Sequence, residues 1–286
     1  MADYLIHGKK GNGKSLVVVG RIRDALLAGK KVATNLDLQL ENLLPPGQRR
    51  VECYRLPDRP TIDDMRAIGL GSDRVDESTY GLVVLDEMAS WMNARSWADK
   101  TRQALLDWFV HSRKLGWDTY FICQNPAQID KQVRESLVEL SVSCKRLDRI
   151  RIPFLGSITK NLLGFELRLP KIHTALVRYG MDRDAVVSDR WTYTGRDLYA
   201  GYDTRQVFRE DYSNGLFSYL SPWHTKGRYM AKCPRRLREV LQEWFYPADK
   251  PKPAIRAKLP LVALIAKLPP DERVKHFRRL TALGAF

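Results

Sequence analysis

The chain has 286 residues, 44% hydrophobic and 28% charged, with a net charge of +15; this fits a soluble protein built as one large α/β domain or as a core with a smaller appendage. No apolar run approaches the ~18 uncharged residues of a membrane span; the nearest, Leu259 to Ala266, holds Pro260 and is closed by Lys267. Four scattered cysteines with no C-x-x-C pair and five scattered histidines argue against a disulfide frame or a zinc site. A first strand starting at the N-terminus leaves no signal peptide, so a reducing, cytoplasmic setting is expected.

Residues 2–7 read as a short buried strand, followed by a Gly-rich turn and a helix over 14–28 that Gly29 ends. A second strand runs through Val32 and Thr34, and residues 41–60, with Pro45, Pro46, Gly47, Pro57 and Pro60, read as loop. A helical pattern at 61–69 begins at the cap residue Thr61. "YGLVVLDE" (80–87) is a continuous apolar run ending in two carboxylates, as in a strand buried on both faces of a parallel sheet. Residues 99–115 place Leu105, Leu106, Phe109 and Val110 at helical spacing. "DTYFICQNP" (118–126) is another buried strand closed by Pro126, and 127–140 again reads as helix. Strands alternating with helices predict an open, mostly parallel sheet. "FELRLPKIHTALVRYG" (165–180) alternates with period two, which predicts antiparallel strands at the sheet's edge.

The first strand leads into G-x-x-x-x-G-K-S, from Gly8 through Lys9, Lys10, Gly11, Asn12 and Gly13 to Lys14 and Ser15. Such a loop turns backbone N–H groups around an anion at the positive end of a helix. Lys14 is then placed to neutralise β- and γ-phosphate charge, and Ser15 to offer its hydroxyl to magnesium, so ATP and Mg2+ are the expected ligands. Asp86 and Glu87 end a buried strand, where parallel sheets present their ligands. Asp86 is the expected magnesium holder and Glu87 the base that orients and deprotonates the attacking water; an acidic helix cap is the plain alternative. Gln124 ends the next buried strand, where ATPases of the additional-strand class carry a polar residue that senses the γ-phosphate. Asn125 is its neighbour in that place, and turn chemistry before Pro126 is the alternative. Arg95 and Arg113 follow the Asp86 strand closely enough to serve a neighbouring subunit's site in trans, although an exposed structural arginine is the simpler reading of each.

"YLIHGKKGNGKSL", "GKKVATNLDL", "YGLVVLDEMASWMNARSW" and "HSRKLGWDTYFICQNPAQIDKQVRESL" together resemble the N-terminal domain of the zonula occludens toxin (Zot-like) family. "GRDLYAGYDT" (195–204) is similar to the tyrosine-bearing segment near that domain's end. The resemblance covers residues 1–205 and implies a P-loop NTPase of the additional-strand class. In that fold a mostly parallel sheet of core order 5-1-4-3-2 is flanked by helices. It also implies an ATPase that drives virion morphogenesis, since the family includes assembly ATPases of filamentous phages. Carried to matching positions, Gly13, Lys14 and Ser15 bind phosphate and magnesium, Asp86 and Glu87 form the Walker B pair, and Gln124 is the sensor.

Three segments are therefore expected: the ATPase domain over 1–205, an extension packed on it over 206–246, and over 247–286 a Pro/Lys-rich linker with a short basic amphipathic helix. Net charge is +1 over residues 1–100, +5 over 101–200 and +9 over 201–286. The C-terminal excess points to an acidic partner or to a solvated basic tail. Filamentous-phage members continue into a membrane span and a periplasmic segment; this sequence offers the basic tail instead. The expected partners are further copies of the chain in a ring, phage DNA, virion assembly proteins and, peripherally, a membrane partner. The alternative function is a nucleotide-switched DNA- or partner-binding protein without motor activity.

Overall fold

Alternate residues of each central strand serve two different cores. Leu5, Val83, Leu85 and Phe121 face Met65 and Phe109 on one side of the sheet. Ile6, Val84, Ile122 and Val142 face Leu16, Val19 and Ile22 on the other. Burial on both faces is why these strands are apolar throughout rather than alternating. The computed structural model describes residues 3–88, 100–129, 134–135, 137–149, 171–182, 184–195, 197–209 and 211–230. All lie in one unit, Met1–Met230.

Along the chain come β1 (Asp3–His7), α1 (Lys14–Leu27), β2 (Val32–Thr34), α2 (Leu40–Leu43), β3 (Cys53–Arg55), α3 (Ile62–Ala67) and β4 (Gly81–Leu85). Then follow α4 (Lys100–His111), β5 (Trp117–Cys123), β6 (Leu140–Arg146), β7 (Ile172–Tyr179), β8 (Val187–Thr194), β9 (Phe217–Ser218) and α5 (Pro222–Thr225). The strands form one sheet in the order β8-β7-β6-β1-β5-β4-β2-β3-β9. The run β6-β1-β5-β4-β2 is parallel throughout and reproduces the 5-1-4-3-2 order of the additional-strand P-loop NTPases. β7 and β8 extend it antiparallel at one edge, and β9 pairs antiparallel with β3 at the other.

Two elements depart from the sequence reading. Residues 41–60 are not all loop, since they hold the end of α2 and all of β3. β3 is only three residues long and carries an arginine, so it has no apolar signature. Arg55 is nevertheless fully buried, because its guanidinium donates to Asp37 and Asp58 at 2.7 Å each and lies over the Tyr212 ring. The predicted helix over 127–140 does not reach 140. A 3-10 turn spans Pro126–Gln128, Leu140 already belongs to β6, and residues 130–133 and 136 lie outside the described residues. On α4, Leu105 and Phe109 are buried as the spacing requires, but Val110 is exposed. α3 starts at Thr61 with a reciprocal capping box to Asp64.

The edge hairpin is joined to the helix of the phosphate loop. A side chain at Gly20 would fall 2.5 Å from the Tyr193 ring, so the missing Cβ lets α1 and β8 touch. Tyr193 donates to Asp24 at 2.7 Å, and the Arg21 guanidinium lies 4.7 Å from the Trp191 ring centroid.

At the opposite end of the sheet, Asp3 accepts a hydrogen bond from Thr119, while burial and then Glu139 and Asp118 push its carboxyl up to about 6. A carboxyl raised on folding favours the folded state below its unfolded value, and that contribution is lost as pH rises from near 4 through 6. Asp3→Asn should therefore raise stability at pH 7.5 by on the order of 1–2 kcal/mol and leave it unchanged at pH 3.5, measured by urea denaturation. Destabilisation at pH 7.5 would show that the carboxylate's bond from Thr119 is worth more than its burial costs.

Candidate functional site

The registers bring the ends of β1, β4 and β5 to one edge of the sheet, with His7 opposite Cys123 and Leu85 opposite Phe121. Everything that follows these strands therefore converges there. After β1 the chain turns through Gly8–Gly13 into α1, whose first-turn N–H groups face the turn. Gly13 is the N-cap of α1, with φ at 82° in the left-handed region. A Cβ there would meet the His173 ring at 1.9 Å, so both backbone and space require glycine. The loop is braced from outside by Asn12 Nδ2, which donates to Cys144 O at 3.1 Å. Lys14 Nζ donates to Gly8 O at 2.9 Å, which holds the ammonium across the loop.

Ser15 Oγ donates to Asp86 Oδ2 at 3.0 Å, joining the start of α1 to the end of β4. Burial pushes the Asp86 carboxyl up to about 6, opposed by hydrogen bonds from the Glu87 N–H and the Ser15 hydroxyl. A desolvated carboxylate in this position gains from a nearby cation. Magnesium is commonly held by one or two protein oxygens plus phosphates and water, and the Ser15–Asp86 pair fits that donor set. Among the described residues there is no cluster of three or more His, Cys, Asp or Glu that would hold a metal by side chains alone.

Asp86 is held in turn by Asn35, fully buried at the end of β2. Asn35 Oδ1 accepts from Asp86 N at 2.8 Å, and its Nδ2 donates to Asp86 O at 3.1 Å and Asp58 O at 3.2 Å. Glu87 is the one positive-φ residue other than glycine among those described, at 53°, and its N–H donates to Asp86 Oδ1 at 2.7 Å. A side chain in that conformation is strained, which turns Glu87 out of the strand direction and into the cleft.

Lys10, Gly11, Gly13, Lys14, Ser15, Asp86, Glu87 and Gln124 all line a single cleft of about 1080 Å3. Asn125 does not; its Oδ1 accepts from Ala127 N at 3.0 Å, so the turn chemistry belongs to Asn125 and the cleft position to Gln124. Lys9 is exposed beside the loop. Arg113 is not brought to this cleft. It lies in the turn before β5, at the opposite end of the sheet, 3.2 Å from Glu77. Service to a neighbouring copy's site from there would have to use that opposite end. Arg95 lies outside the described residues.

The sequence reading missed His173, Arg146, Tyr199, Tyr202 and Arg205, which line the same cleft. His173 is buried on β7 with Nδ1 against the Asn12–Gly13 backbone and Nε2 3.1 Å from Tyr199 Oη. Burial, and then Arg146, hold it below the usual histidine range. The period-two pattern marked 165–180 as strand but gave no sign that one inward position would abut the phosphate loop.

The family model described as zonular occludens toxin (Zot) matches residues 2–179. The Gene 1 protein of Escherichia phage If1 is 50% identical over 234 residues, 81% of this chain and 66% of that one. The Gene 1 protein of Enterobacteria phage M13 is 48% identical over 231 residues, 80% of this chain and 66% of that one. The chain thus spans just under two thirds of the length of these curated relatives. Among solved structures, the N-terminal domain of zonular occludens toxin from Neisseria meningitidis aligns with a TM-score of 0.41 at 19% identity, covering 71% of this chain and 100% of that one.

Proposed function

The chain belongs to the zonular occludens toxin (Zot) family, and from that premise we propose that it is an ATP hydrolase of phage morphogenesis, coupling Mg-ATP hydrolysis to virion assembly or to movement of phage DNA. The observation that carries this reading is the Ser15–Asp86 hydrogen bond of 3.0 Å, with Lys14 and Glu87 in the same cleft. It joins a phosphate-binding loop to a carboxylate pair at a parallel sheet's ligand-binding edge.

In this reading the loop N–H groups and the α1 N-terminus cradle the phosphates, and Lys14 neutralises charge between β and γ. Ser15 and Asp86 hold magnesium, which when bound draws charge from the leaving phosphate oxygens. Glu87 accepts the proton of the attacking water and Gln124 orients it at the γ-phosphate. A nucleotide switch needs no base beside the water, and the strained placement of Glu87 in the cleft favours hydrolysis over that alternative. The protein would act as a homo-oligomer on the cytoplasmic side of the host's inner membrane. No helix among the described residues is long and apolar enough to cross a membrane. The net charge of +9 over residues 201–286 supports DNA or an acidic virion protein as the load.

Phosphate release with and without magnesium, and with single- or double-stranded DNA, tests the proposal. Turnover should require magnesium, vanish with EDTA and rise with DNA, and DNA affinity should fall steeply with salt as counterions are released. Tight nucleotide binding with no turnover under any of these conditions would leave only the switch.

A further inference from the structure

After β8 the chain runs along the cleft as a strap toward the end of β2, with Tyr199 and residues 202–206 in the cleft lining. At one end Tyr199 Oη meets His173 Nε2 at 3.1 Å, beside the start of α1. In the middle, α2 holds the strap from below: Asn42 Nδ2 donates to Ala200 O at 2.7 Å and Gln39 N to Gly201 O at 2.8 Å. Gly201 is a glycine because a Cβ there would fall 2.1 Å from Leu43. At the far end Tyr202 pairs with Leu38, and Gln206 clasps Asn35 O and Asp37 N at 2.8 Å each. Asn35 is the residue that fixes Asp86, so the strap and the carboxylate pair share one anchor.

The anchors fix the backbone and leave Tyr199 and Tyr202 lining the cleft. Tyr202 is half-buried, and its hydroxyl makes no hydrogen bond to the described residues. Beside the rings, Leu16, Leu36 and Phe208 add apolar surface to the lining of the same cleft. A phosphate tail has no use for such a surface. A cleft of about 1080 Å3 is also sized for a whole nucleotide, since pockets for drug-sized ligands run ~300–1,000 Å3. The strap lies beyond residue 179, where the match to the family model ends.

We propose that the strap carrying Tyr199 and Tyr202 is the nucleoside-recognition wall of the cleft, its rings packing against the base while the loop holds the phosphates. This rests on the nucleotide-site reading and adds to it the element that binds the other end of the ligand. Aromatic faces suit a base because every base has a π-face and sheds ordered water on stacking.

The test separates the two ends of the ligand by using Mg-ATP and Mg-tripolyphosphate, which lacks the nucleoside, as calorimetric probes of the full chain. Tyr202→Leu keeps apolar volume but removes the aromatic face. It should weaken Mg-ATP binding by about 10-fold, in the range alanine substitution gives for base stacking, and leave tripolyphosphate affinity as in wild type. Tyr202→Phe should retain Mg-ATP affinity. Preserved tripolyphosphate binding also shows that the variant's site is folded. Wild-type Mg-ATP affinity in Tyr202→Leu, or an equal loss for both probes, would overturn the proposal. Lys14→Ala in the same assay should weaken both probes; if it weakens neither, the phosphate site itself has failed and not the strap.

Discussion

Lys14→Ala protein is expected to fold normally, to bind Mg-ATP far more weakly and to show no measurable turnover. Among the described residues the side chain makes one hydrogen bond, to Gly8 O at 2.9 Å, and it is partly exposed. Losing such a bond costs ~0.5–1.5 kcal/mol, too little to unfold a unit with cores on both faces of its sheet. What the ammonium offers a ligand is much larger. It is a full charge at the turn between a strand end and a helix N-terminus, aimed where β- and γ-phosphate charge would gather. Removing a single preorganised donor to developing charge commonly lowers turnover by ~10²–10³-fold, and here ground-state binding goes with it. Phosphate release and calorimetric affinity measure the two effects, and circular dichroism with thermal melting checks the fold. Wild-type turnover in this variant would sink the nucleotide-site assignment.

The central strands were legible in sequence because their environment leaves a simple trace. β4 and β5 are covered on both faces, so every residue of "GLVVL" is apolar and buried, and "TYFIC" nearly so. β3 and β6 left no such trace, for two different reasons. β3 tolerates Arg55 only because Asp37 and Asp58, distant in kind from any strand signal, neutralise it after folding. β6 carries Ser141 and Ser143 between its apolar residues, so it lacks the continuous apolar run of β4 and β5 and drew no strand assignment. Ser141 in fact lies 2.9 Å from His7 Nε2 across the sheet, and that partner is 134 positions away.

The site divides the same way. Gly13, Lys14, Ser15, Asp86 and Glu87 are each fixed by a local arrangement, a turn between strand and helix or the end of an apolar run, so spacing alone placed them. Asn35 entered only as one position of the resembling segment "GKKVATNLDL", yet it bonds both backbone groups of Asp86. The strap entered only as the resembling segment "GRDLYAGYDT", with no role attached to it. Its polar residues have no period, and its anchors are tertiary, with Gln206 reaching Asn35 across 171 positions of chain. Residues brought together by such closures carry meaning only in the folded state.

Glu87→Gln should divide binding from chemistry. The substitution keeps the length of the side chain and its capacity to hydrogen-bond, and it leaves the backbone N–H bond to Asp86 Oδ1 untouched. Glutamine does not take a proton from water, so Mg-ATP should bind as in wild type while turnover falls by ~10²-fold or more. The left-handed backbone at 53° adds a second, independent expectation. A residue with a side chain is strained there by about 1 kcal/mol, whereas glycine adopts that conformation freely. Glu87→Gly should thus be as inactive as Glu87→Gln, and its loss of strain should be offset only in part by the entropy glycine gains on unfolding. The net gain in stability expected from urea denaturation is ~0.5 kcal/mol, with Glu87→Gln unchanged from wild type. A residue kept in a strained conformation that helps neither core nor sheet is explained if the conformation aims its carboxylate at a reacting water. If Glu87→Gln hydrolyses ATP at the wild-type rate, the strain has no catalytic purpose, Glu87 is only a cap after β4, and the nucleotide acts as a switch.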